Sequence, residues 1–166
     1  MNLVEGDRDV VVEPAELRRV MGHFATGVTI VTGLSEEGPV GFACQSFTSV
    51  SLEPPLVLFC PSQGSRSWPL IKGSGSFSVN VLAEDQLELC QTFATSGTDK
   101  FAGLAWHETA WGPSLDNVLA TVHCEISQIV PAGDHDVVLG EVRKLVTHRE
   151  AAPLVFFRGQ YGLTWD

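Results

Sequence analysis

Residues 41–60 read GFACQSFTSVSLEPPLVLFC, and the predicted fold starts from the second half of this stretch. The run 55–60 is apolar, is bounded by prolines and is too short for a typical helix. Such a run predicts a strand that is buried on both faces. A sheet is therefore the first expectation for the core.

The first half of the same stretch is unusually rich in hydroxyl groups. Ser46, Thr48, Ser49 and Ser51 place four of them within six residues. Hydroxyls and free backbone N–H groups can hold a phosphate without formal positive charge. An exposed strand edge or turn rich in Ser and Thr explains the same composition, and the residues alone leave both interpretations open.

Towards the N-terminus the pattern predicts one helix followed by two strands. Apolar residues recur at three- and four-residue steps after Pro14, which predicts a helix over 14–25. The β-branched run 28–32 predicts a strand, and the polar segment 35–39 predicts a hairpin-like turn. A second strand is expected from Val40.

Towards the C-terminus strands outnumber helices. The predicted elements are a short helix from Ser65 through Ile71, a strand over 76–82, a helix over 83–93, a hairpin of strands 120–130 and 137–142 joined by a turn over 131–134, and a last strand pair over 154–157 and 161–163. About seven strands with short connections favour an antiparallel barrel with helices packed outside it. We expect one domain over 14–166 after an N-terminal extension over 1–13.

The charge balance argues against nucleic acid as a partner. The formal net charge is −10 at pH 7, whereas a phosphate-backbone binder needs clustered Lys and Arg. Between residues 20 and 142 the basic side chains other than histidine are Arg66, Lys72 and Lys100. An anionic ligand bound there would depend on these three side chains and on backbone N–H groups. Ordinary solvated surface charge is the alternative.

Several reaction classes are excluded because their motifs are absent from the sequence. It has no GxSxG, GxxxxGK[ST], HExxH or GxGxxG pattern, and its four cysteines and five histidines show no paired metal-ligand spacing. We therefore expect no metal site, and an enzyme of this kind would rely on an organic cofactor. The first residues lack a signal-peptide pattern and no run is long enough to span a membrane, so we expect a cytoplasmic protein without a membrane partner.

Three local patterns could contact a ligand. Gly27 lies between the first helix and the first strand, where a planar ligand could approach the backbone, although a helix C-cap explains it equally well. The sequence GDHD at 133–136 sets a histidine in a tight acidic turn, which suits a nucleotide or is simply a solvated turn. The sequence DKF at 99–101 puts a cation beside an aromatic ring, a combination that could meet a phosphate or the edge of a ring.

Seven short blocks, taken in order, carry a resemblance to a known family. They are FATGVTIVT at 24–32, GFACQSFTSVSLEPPLVLFC at 41–60, SRSW at 65–68, FSVNVL at 77–82, DKFAG at 99–103, AGDHDVVLGEV at 132–142 and PLVFFRGQYG at 153–162. Together they resemble the flavin reductase-like family, the small reductase components of two-component flavin-dependent monooxygenases. The variant GFACQSF is similar to reductases whose partner oxygenase acts on a hydroxy-secosteroid.

The resemblance implies an FMN-binding split barrel, which is a Greek-key antiparallel barrel with flanking helices that works as a homodimer. It implies FMN or FAD as the flavin, and NADH or NADPH as the hydride donor. The residues that it assigns to the flavin are Thr26, Gly27, Val28, Thr29, Ala43, Cys44, Gln45, Ser46, Phe47, Ser49, Val50, Ser51, Ser65, Arg66, Asn80, Val81, Lys100 and Phe101. It assigns His135 and Tyr161 to the nicotinamide nucleotide.

The implied reaction is hydride transfer from C4 of NADH or NADPH to N5 of the flavin, with no obligatory catalytic side chain. Reduced flavin would diffuse to a flavin-dependent oxygenase that acts on an aromatic or steroid-derived phenol. A non-catalytic flavin-storage or flavin-sensing barrel is the alternative, and GDH at 133–135 favours the enzyme. A flavin oxidase of the pyridoxamine-phosphate type is a third hypothesis, weakened by the lack of basic residues for a second phosphate substrate.

Overall fold

A computed structural model describes residues 11–162 of the chain. Its three helices are α1 (Pro14–Met21), α2 (Trp68–Ser74) and α3 (Leu87–Ala94). Its strands are β1 (Thr26–Gly27), β2 (Thr29–Ser35), β3 (Gly38–Cys44), β4 (Thr48–Leu52), β5 (Pro55–Phe59), β6 (Ser76–Val81), β7 (Trp106–Thr109), β8 (Gly112–Leu115), β9 (Ala120–Ala132), β10 (His135–Thr147), β11 (Val155–Phe157) and β12 (Gln160–Tyr161). The predicted mainly β class is confirmed.

Seven strands form one antiparallel sheet in the order β3-β2-β6-β9-β10-β5-β4. Smaller sheets of order β1-β11-β12 and β7-β8 complete the described part of the chain. The predicted number of strands is therefore too low. The β7-β8 hairpin was missed because Gly112 and Pro113 interrupt any alternating pattern in β8.

The hairpin of β9 and β10 is the longest paired unit, with its register running from Ala132↔His135 to Ala120↔Thr147. Gly133 adopts a positive φ of 65° in the turn, a conformation that side chains rarely tolerate. The predicted hairpin is confirmed, although its strands extend beyond the predicted bounds. Its turn places His135 at the first position of β10.

Strand β5 corrects the expectation for the run 55–60. It pairs with β10 on one side and with the edge strand β4 on the other. Val57 and Phe59 are buried, whereas Leu56 and Leu58 are only half-buried and Pro55 is exposed. The prediction of burial on both faces was wrong, because neighbouring structure covers one face of this strand better than the other.

Helices α1 and α3 are shorter than predicted, and α2 begins and ends three residues later than predicted. Helix α1 ends at Met21 instead of 25, because the carbonyl of Gly22 accepts a 2.8 Å bond from the N–H of Arg158 and the chain then turns into β1. Helix α2 begins at Trp68, whose N–H donates to Ser65 Oγ at 3.2 Å, so Ser65 caps the turn before the helix. Leu163, the end of the predicted last strand, lies outside the described residues.

The core consists of two clusters of buried side chains. One surrounds Phe59, Phe77 and Trp68, where ring centroids lie 4.9 and 5.7 Å from Phe59. The other surrounds Phe93 and Phe101, whose rings meet edge to face at 5.2 Å. Burial of this apolar surface supplies most of the favourable free energy of folding. Within residues 11–162, no helix is long and apolar enough to cross a membrane.

Candidate functional site

Two cavities meet on the face of β3, where Phe42, Ala43 and Ser65 line both of them. The first, here called the His135 cavity, has a volume of about 720 Å³. Its other lining residues are Arg18, Met21, Gly22, Phe24, Thr26, Cys44, Gln45, Ser46, Cys60, Pro61, Ser62, His135, Phe156 and Gly159. The second, here called the Lys100 cavity, has a volume of about 580 Å³. Its other lining residues are Pro39, Val40, Gly41, Gly64, Arg66, Ser67, Phe93, Ala94, Ser96, Gly97, Thr98, Asp99, Lys100 and Phe101.

The His135 cavity combines apolar walls with a few polar groups. Phe24, Phe42 and Phe156 contribute aromatic surface, which suits a planar ring system. The hydroxyl oxygen of Thr26 is buried and has no hydrogen-bond partner. A buried polar atom without a partner is costly in free energy, so this oxygen marks a place in the wall that is suited to a polar ligand atom.

The Lys100 cavity contains a fixed cation. Lys100 Nζ donates to the carbonyl of Gly41 at 3.1 Å and to the carbonyl of Phe93 at 3.0 Å. Partial burial lowers the pKa of the Lys100 ammonium, because leaving water disfavours the charged form. Two backbone bonds use two of the three ammonium hydrogens, so the third can serve an anion in the cavity.

Hydroxyl groups and a second cation complete this cavity. Arg66 is exposed at its rim, and Ser65, Ser67, Ser96 and Thr98 lie in its wall. Ser67 Oγ donates to the same Gly41 carbonyl at 3.1 Å. Two of the three basic residues between positions 20 and 142 are therefore brought together beside hydroxyl groups, a combination that suits a phosphate.

A thiol and a hydroxyl link β3 to the end of β5 in the His135 cavity. Ser46 Oγ accepts a 2.8 Å bond from the N–H of Cys60 and lies 3.2 Å from Cys44 Sγ. Burial raises the pKa of the Cys44 thiol. The thiol therefore stays protonated at neutral pH and acts as a weakly polar part of the wall.

The acidic turn places His135 in the wall of the same cavity. Its Nδ1 lies 2.7 Å from Asp134 Oδ1, while Asp134 itself is almost fully exposed. The hydrogen bond to His135 lowers the pKa of the Asp134 carboxyl. Because Nδ1 is engaged by Asp134, the other ring nitrogen is the one available to a ligand.

Tyr161 lies behind the His135 cavity and does not line it. Its ring packs against that of Phe156 with centroids 5.0 Å apart. Burial raises the pKa of Tyr161 to about 12, and its hydroxyl interacts with Cys90 and Gln45. Tyr161 therefore supports the cavity wall through Phe156, which does line the cavity.

The structure brings about half of the predicted site residues to the two cavities. Those that line one or both are Thr26, Ala43, Cys44, Gln45, Ser46, Ser65, Arg66, Lys100, Phe101 and His135. Those that line neither are Gly27, Val28, Thr29, Phe47, Ser49, Val50, Ser51, Asn80, Val81 and Tyr161.

The residues outside the cavities have other surroundings. Asn80 is fully buried, and its amide donates to the Ile30 carbonyl at 3.0 Å and accepts from the Leu115 N–H at 2.9 Å. Ser49 and Val50 lie exposed on the edge strand β4. Of the hydroxyl run that begins at Ser46, only Ser46 reaches a cavity wall.

Sequence reasoning missed several lining residues. Phe24 and Phe42 fall within blocks that the sequence analysis had marked, so their aromatic side chains were a usable signal. Ser62 follows a predicted strand and lies three residues before Ser65, which was also a usable signal. Arg18 gave no such signal, because no pattern in the sequence around it indicates that helix α1 lies near the acidic turn.

Comparison with known proteins gives concordant results. A family model described as flavin reductase like domain matches residues 21–164. The reductase subunit of a flavin-dependent monooxygenase from Rhodococcus jostii is 50% identical over 165 residues, which cover 97% of this chain and 85% of the relative.

Two solved structures are also similar. Nitrilotriacetate monooxygenase component B from Mycobacterium thermoresistibile is 48% identical with a TM-score of 0.86, over 89% of this chain and 84% of that one. An NADH:FAD oxidoreductase from Streptomyces globisporus, in complex with NAD and FAD fragments, is 32% identical with a TM-score of 0.85, over 94% of this chain and 97% of that one.

Proposed function

This chain belongs to the flavin reductase-like family, and we propose from that premise that it transfers hydride from NADH or NADPH to FMN or FAD. The reduced flavin then serves a separate flavin-dependent oxygenase. The observation that carries the proposal is the junction of two unlike cavities at Phe42, Ala43 and Ser65. One cavity offers apolar surface for a ring, and the other offers cations and hydroxyls for phosphate.

The residues present fit a flavin. The unpaired hydroxyl of Thr26 and the side chain of Gln45 can meet polar atoms of the ring system, and Phe42 offers it an aromatic surface. Lys100 and Arg66 can hold the phosphate, with help from the hydroxyl of Ser65. The two cavities share lining residues and therefore lie side by side, as the sites for a ring and its phosphate must.

A bound flavin supplies the hydride acceptor, and the chain supplies binding and orientation. Hydride transfer needs no side-chain acid or base, so no catalytic residue is proposed. We assign His135 to binding and orienting the nicotinamide nucleotide, because it lies in the wall of the ring cavity with one ring nitrogen held by Asp134. Tyr161 acts on the same cavity indirectly, through its ring contact with Phe156.

A homodimer completes this proposal. Helix α1 has no buried residue, and Leu17, Val20 and Met21 are about half exposed at 54%, 49% and 55%. Exposed apolar side chains on one helix favour contact with another protein surface. A second copy of the chain is the proposed partner, and since Met21 also lines the His135 cavity, dimerisation would shelter that cavity from water.

We also infer that the main sheet closes into the split barrel. Its two edge strands, β3 and β4, are consecutive in the chain, and Ser46 between them bonds to Cys60 at the end of β5. These contacts bring the edges towards each other. A cytoplasmic location goes with this proposal, because NADH and NADPH are the hydride donors.

The partner oxygenase is proposed to act on an aromatic or steroid-derived phenol. The sequence variant GFACQSF supports this substrate class, and the relative from Rhodococcus jostii is itself the reductase subunit of a monooxygenase. A purified oxygenase of this kind should hydroxylate its phenol only when this chain, a flavin and a nicotinamide nucleotide are all present.

The decisive experiment mixes the purified chain with each nicotinamide nucleotide and each flavin. Loss of nucleotide absorbance at a catalytic rate, with oxygen consumed by the released reduced flavin, is the expected result. Tight flavin binding without turnover in any of the four combinations would instead favour the storage or sensing alternative. A preference among the four combinations identifies the physiological pair.

A further inference from the structure

Asp136 is a buried carboxylate that follows His135 directly but points away from both cavities. Its side chain is part of a residue only 7% exposed, and it lines neither cavity. Its Oδ2 accepts a 2.8 Å bond from Trp68 Nε1, and its Oδ1 accepts a 3.2 Å bond from Gln63 Nε2. These two donors lower the pKa of the Asp136 carboxyl, with Trp68 the larger cause.

The Gln63 bond belongs to a set of contacts that fasten residues 61–66, here called the wall segment, to the acidic turn. The N–H of Asp136 donates to the Pro61 carbonyl at 3.0 Å, and the N–H of Gln63 donates to the Asp134 carbonyl at 3.0 Å. Gln63 Nε2 also donates to the His135 carbonyl at 3.3 Å, and Ser62 forms a β-bridge with His135. Pro61, Ser62 and Gln63 thus bind the wall segment to His135 and to its two neighbours in the chain.

The wall segment serves both cavities. Pro61 and Ser62 line the His135 cavity, Gly64 and Arg66 line the Lys100 cavity, and Ser65 lines both. Its position beside His135 therefore helps to set the shape of the wall that a nucleotide would meet. A shift of this segment would change how a nucleotide fits against His135 without removing any group that touches it.

A carboxylate is the side chain that this arrangement needs. Asp136 faces two N–H donors, and an ionised carboxylate accepts from both. An amide of the same shape turns an NH₂ group towards one of the donors and loses that bond. A buried carboxylate is unfavourable unless it is hydrogen-bonded, and the bonds from Trp68 and Gln63 meet that requirement for Asp136.

We propose that Asp136 is a positioning residue that holds the wall segment against His135 and thereby sets the affinity for the nicotinamide nucleotide. The inference rests on the proposed function in one respect, since it takes His135 as the nucleotide contact. Asp136 acts through Gln63, Trp68 and the backbone, and not through contact with the substrates.

The test compares Asp136→Asn with Gln63→Ala and with a control, Asp116→Asn, which changes an exposed carboxylate that pairs with His107. We expect Asp136→Asn to raise the KM for NADH by roughly 10-fold, the size of effect typical when a hydrogen bond to a charged group is lost. We expect kcat to change little, and Gln63→Ala to give a smaller rise. The control should match the wild type.

A combined variant separates positioning from general damage. If Asp136 acts through the placement of His135, Asp136→Asn should add little to the KM of a His135→Ala protein. Hydrogen exchange at the N–H groups of Gln63 and Asp136 should be faster in Asp136→Asn than in the wild type. This exchange measurement does not depend on turnover.

The outcomes that would overturn the proposal for Asp136 can be stated in advance. Faster exchange with an unchanged KM for NADH, or full additivity with His135→Ala, would reduce Asp136 to a purely structural residue and overturn the proposal. Unchanged exchange would overturn it as well. If Asp136→Asn fails to fold, the exposed Gln63→Ala variant decides in its place. If the wild type shows no turnover, the proposed function fails instead, and the Kd for NADH replaces KM in the same comparison.

Discussion

The ammonium nitrogen of Lys100 donates a 3.1 Å hydrogen bond to the carbonyl oxygen of Gly41, which fixes this cation against strand β3. Gly41 is itself tightly enclosed. A Cβ atom added there would lie 2.9 Å from the ring of Phe93 and 2.9 Å from the carbonyl oxygen of Val31. The close packing at Gly41 and the placement of Lys100 are therefore parts of one arrangement.

The first prediction concerns Gly41→Ala. The added methyl group meets a backbone carbonyl that cannot move easily, so we expect the free energy of unfolding to fall by about 1–3 kcal/mol. Gly73→Ala in helix α2 is the matched control. A Cβ atom added at Gly73 would meet nothing within 4 Å, and Ala is a better helix former than Gly. Urea unfolding of both variants measures the difference, and equal stability would contradict the packing argument.

The second prediction assigns Lys100 to the flavin phosphate. Lys100→Met should raise the KM for FMN by roughly 10-fold, as expected when one charge-assisted bond is lost. Riboflavin lacks the phosphate, so its KM should be the same for the variant and the wild type. An equal loss with both flavins would show that Lys100 acts on the fold of the cavity and not on the phosphate.

Because the pKa of Lys100 is lowered, the assignment of Lys100 to the flavin phosphate also predicts how the KM for FMN depends on pH. Because burial disfavours the ammonium form, Lys100 loses its proton at a lower pH than an ordinary lysine. The KM for FMN should therefore rise as the pH becomes alkaline, before free lysine titrates. With riboflavin, or with Lys100→Met, this rise should be absent.

The third prediction tests His135 as a nucleotide contact. His135→Ala should raise the KM for NADH more than the KM for the flavin, because the His135 ring lies in the wall of the His135 cavity and not in the Lys100 cavity, where Lys100 and Arg66 lie. Steady-state kinetics with each substrate varied in turn gives the two values. His135→Asn keeps one polar group, so its KM for NADH should rise less than that of His135→Ala. A larger effect on the flavin would remove His135 from the nucleotide site.

The fold was predictable where the local pattern of residues is strong. It was less predictable where contacts between residues far apart in the chain determine the end of an element. The β9-β10 hairpin alternates over a long run and has a glycine in its turn, so its existence and pairing followed from the sequence. The end of α1 did not, because the bond from Arg158 to Gly22 joins residues far apart in the chain. The apolar pattern through Phe24 has helical spacing, yet Phe24 lies beyond the helix and is 72% exposed.

The candidate site was predictable as a region but not side chain by side chain. The resemblance selected Asn80, yet β6 is buried on both faces at this point and the side chain lies in the core, where Ile30, Thr32 and Leu115 take its hydrogen bonds. It also selected the hydroxyl run after Ser46, most of which lies on an edge strand. Blocks of sequence mark which strands meet, whereas burial and strand order decide which side chains face a ligand.

The fourth prediction concerns the apolar face of α1. Leu17→Glu should convert the proposed dimer into a monomer, because a carboxylate cannot be buried against an apolar surface without a partner. Leu17→Met keeps the apolar volume and should remain a dimer. Sedimentation at several protein concentrations measures both. A wild type that sediments as a monomer at every concentration would contradict the homodimer.

The fifth prediction concerns stability in acid and rests on His123. This ring is 1% exposed, its Nδ1 lies 2.8 Å from Ser78 Oγ, and the ring of Trp111 lies 5.5 Å away. Burial is the largest cause that lowers the pKa of His123 from 6.5 to about 4. The folded protein therefore holds this side chain neutral at a pH where the unfolded chain already binds a proton.

The direction of the effect follows from this difference in pKa. Stability from the neutral ring is fully present above pH 6.5 and is lost as the pH falls towards 4, because the unfolded state then binds one more proton. The free energy of unfolding should fall by up to roughly 1.4 kcal/mol per pH unit across this range. Asp85 and Asp136, whose pKa values are lowered from 3.8, titrate below this window, and the exposed Glu16, whose pKa is lowered from 4.5, is present in both proteins compared and so cancels. His123→Gln keeps a polar partner for Ser78 but does not titrate, so urea unfolding between pH 7 and pH 4.5 should show a shallower slope for this variant. Equal slopes for the two proteins would place the acid sensitivity on other groups.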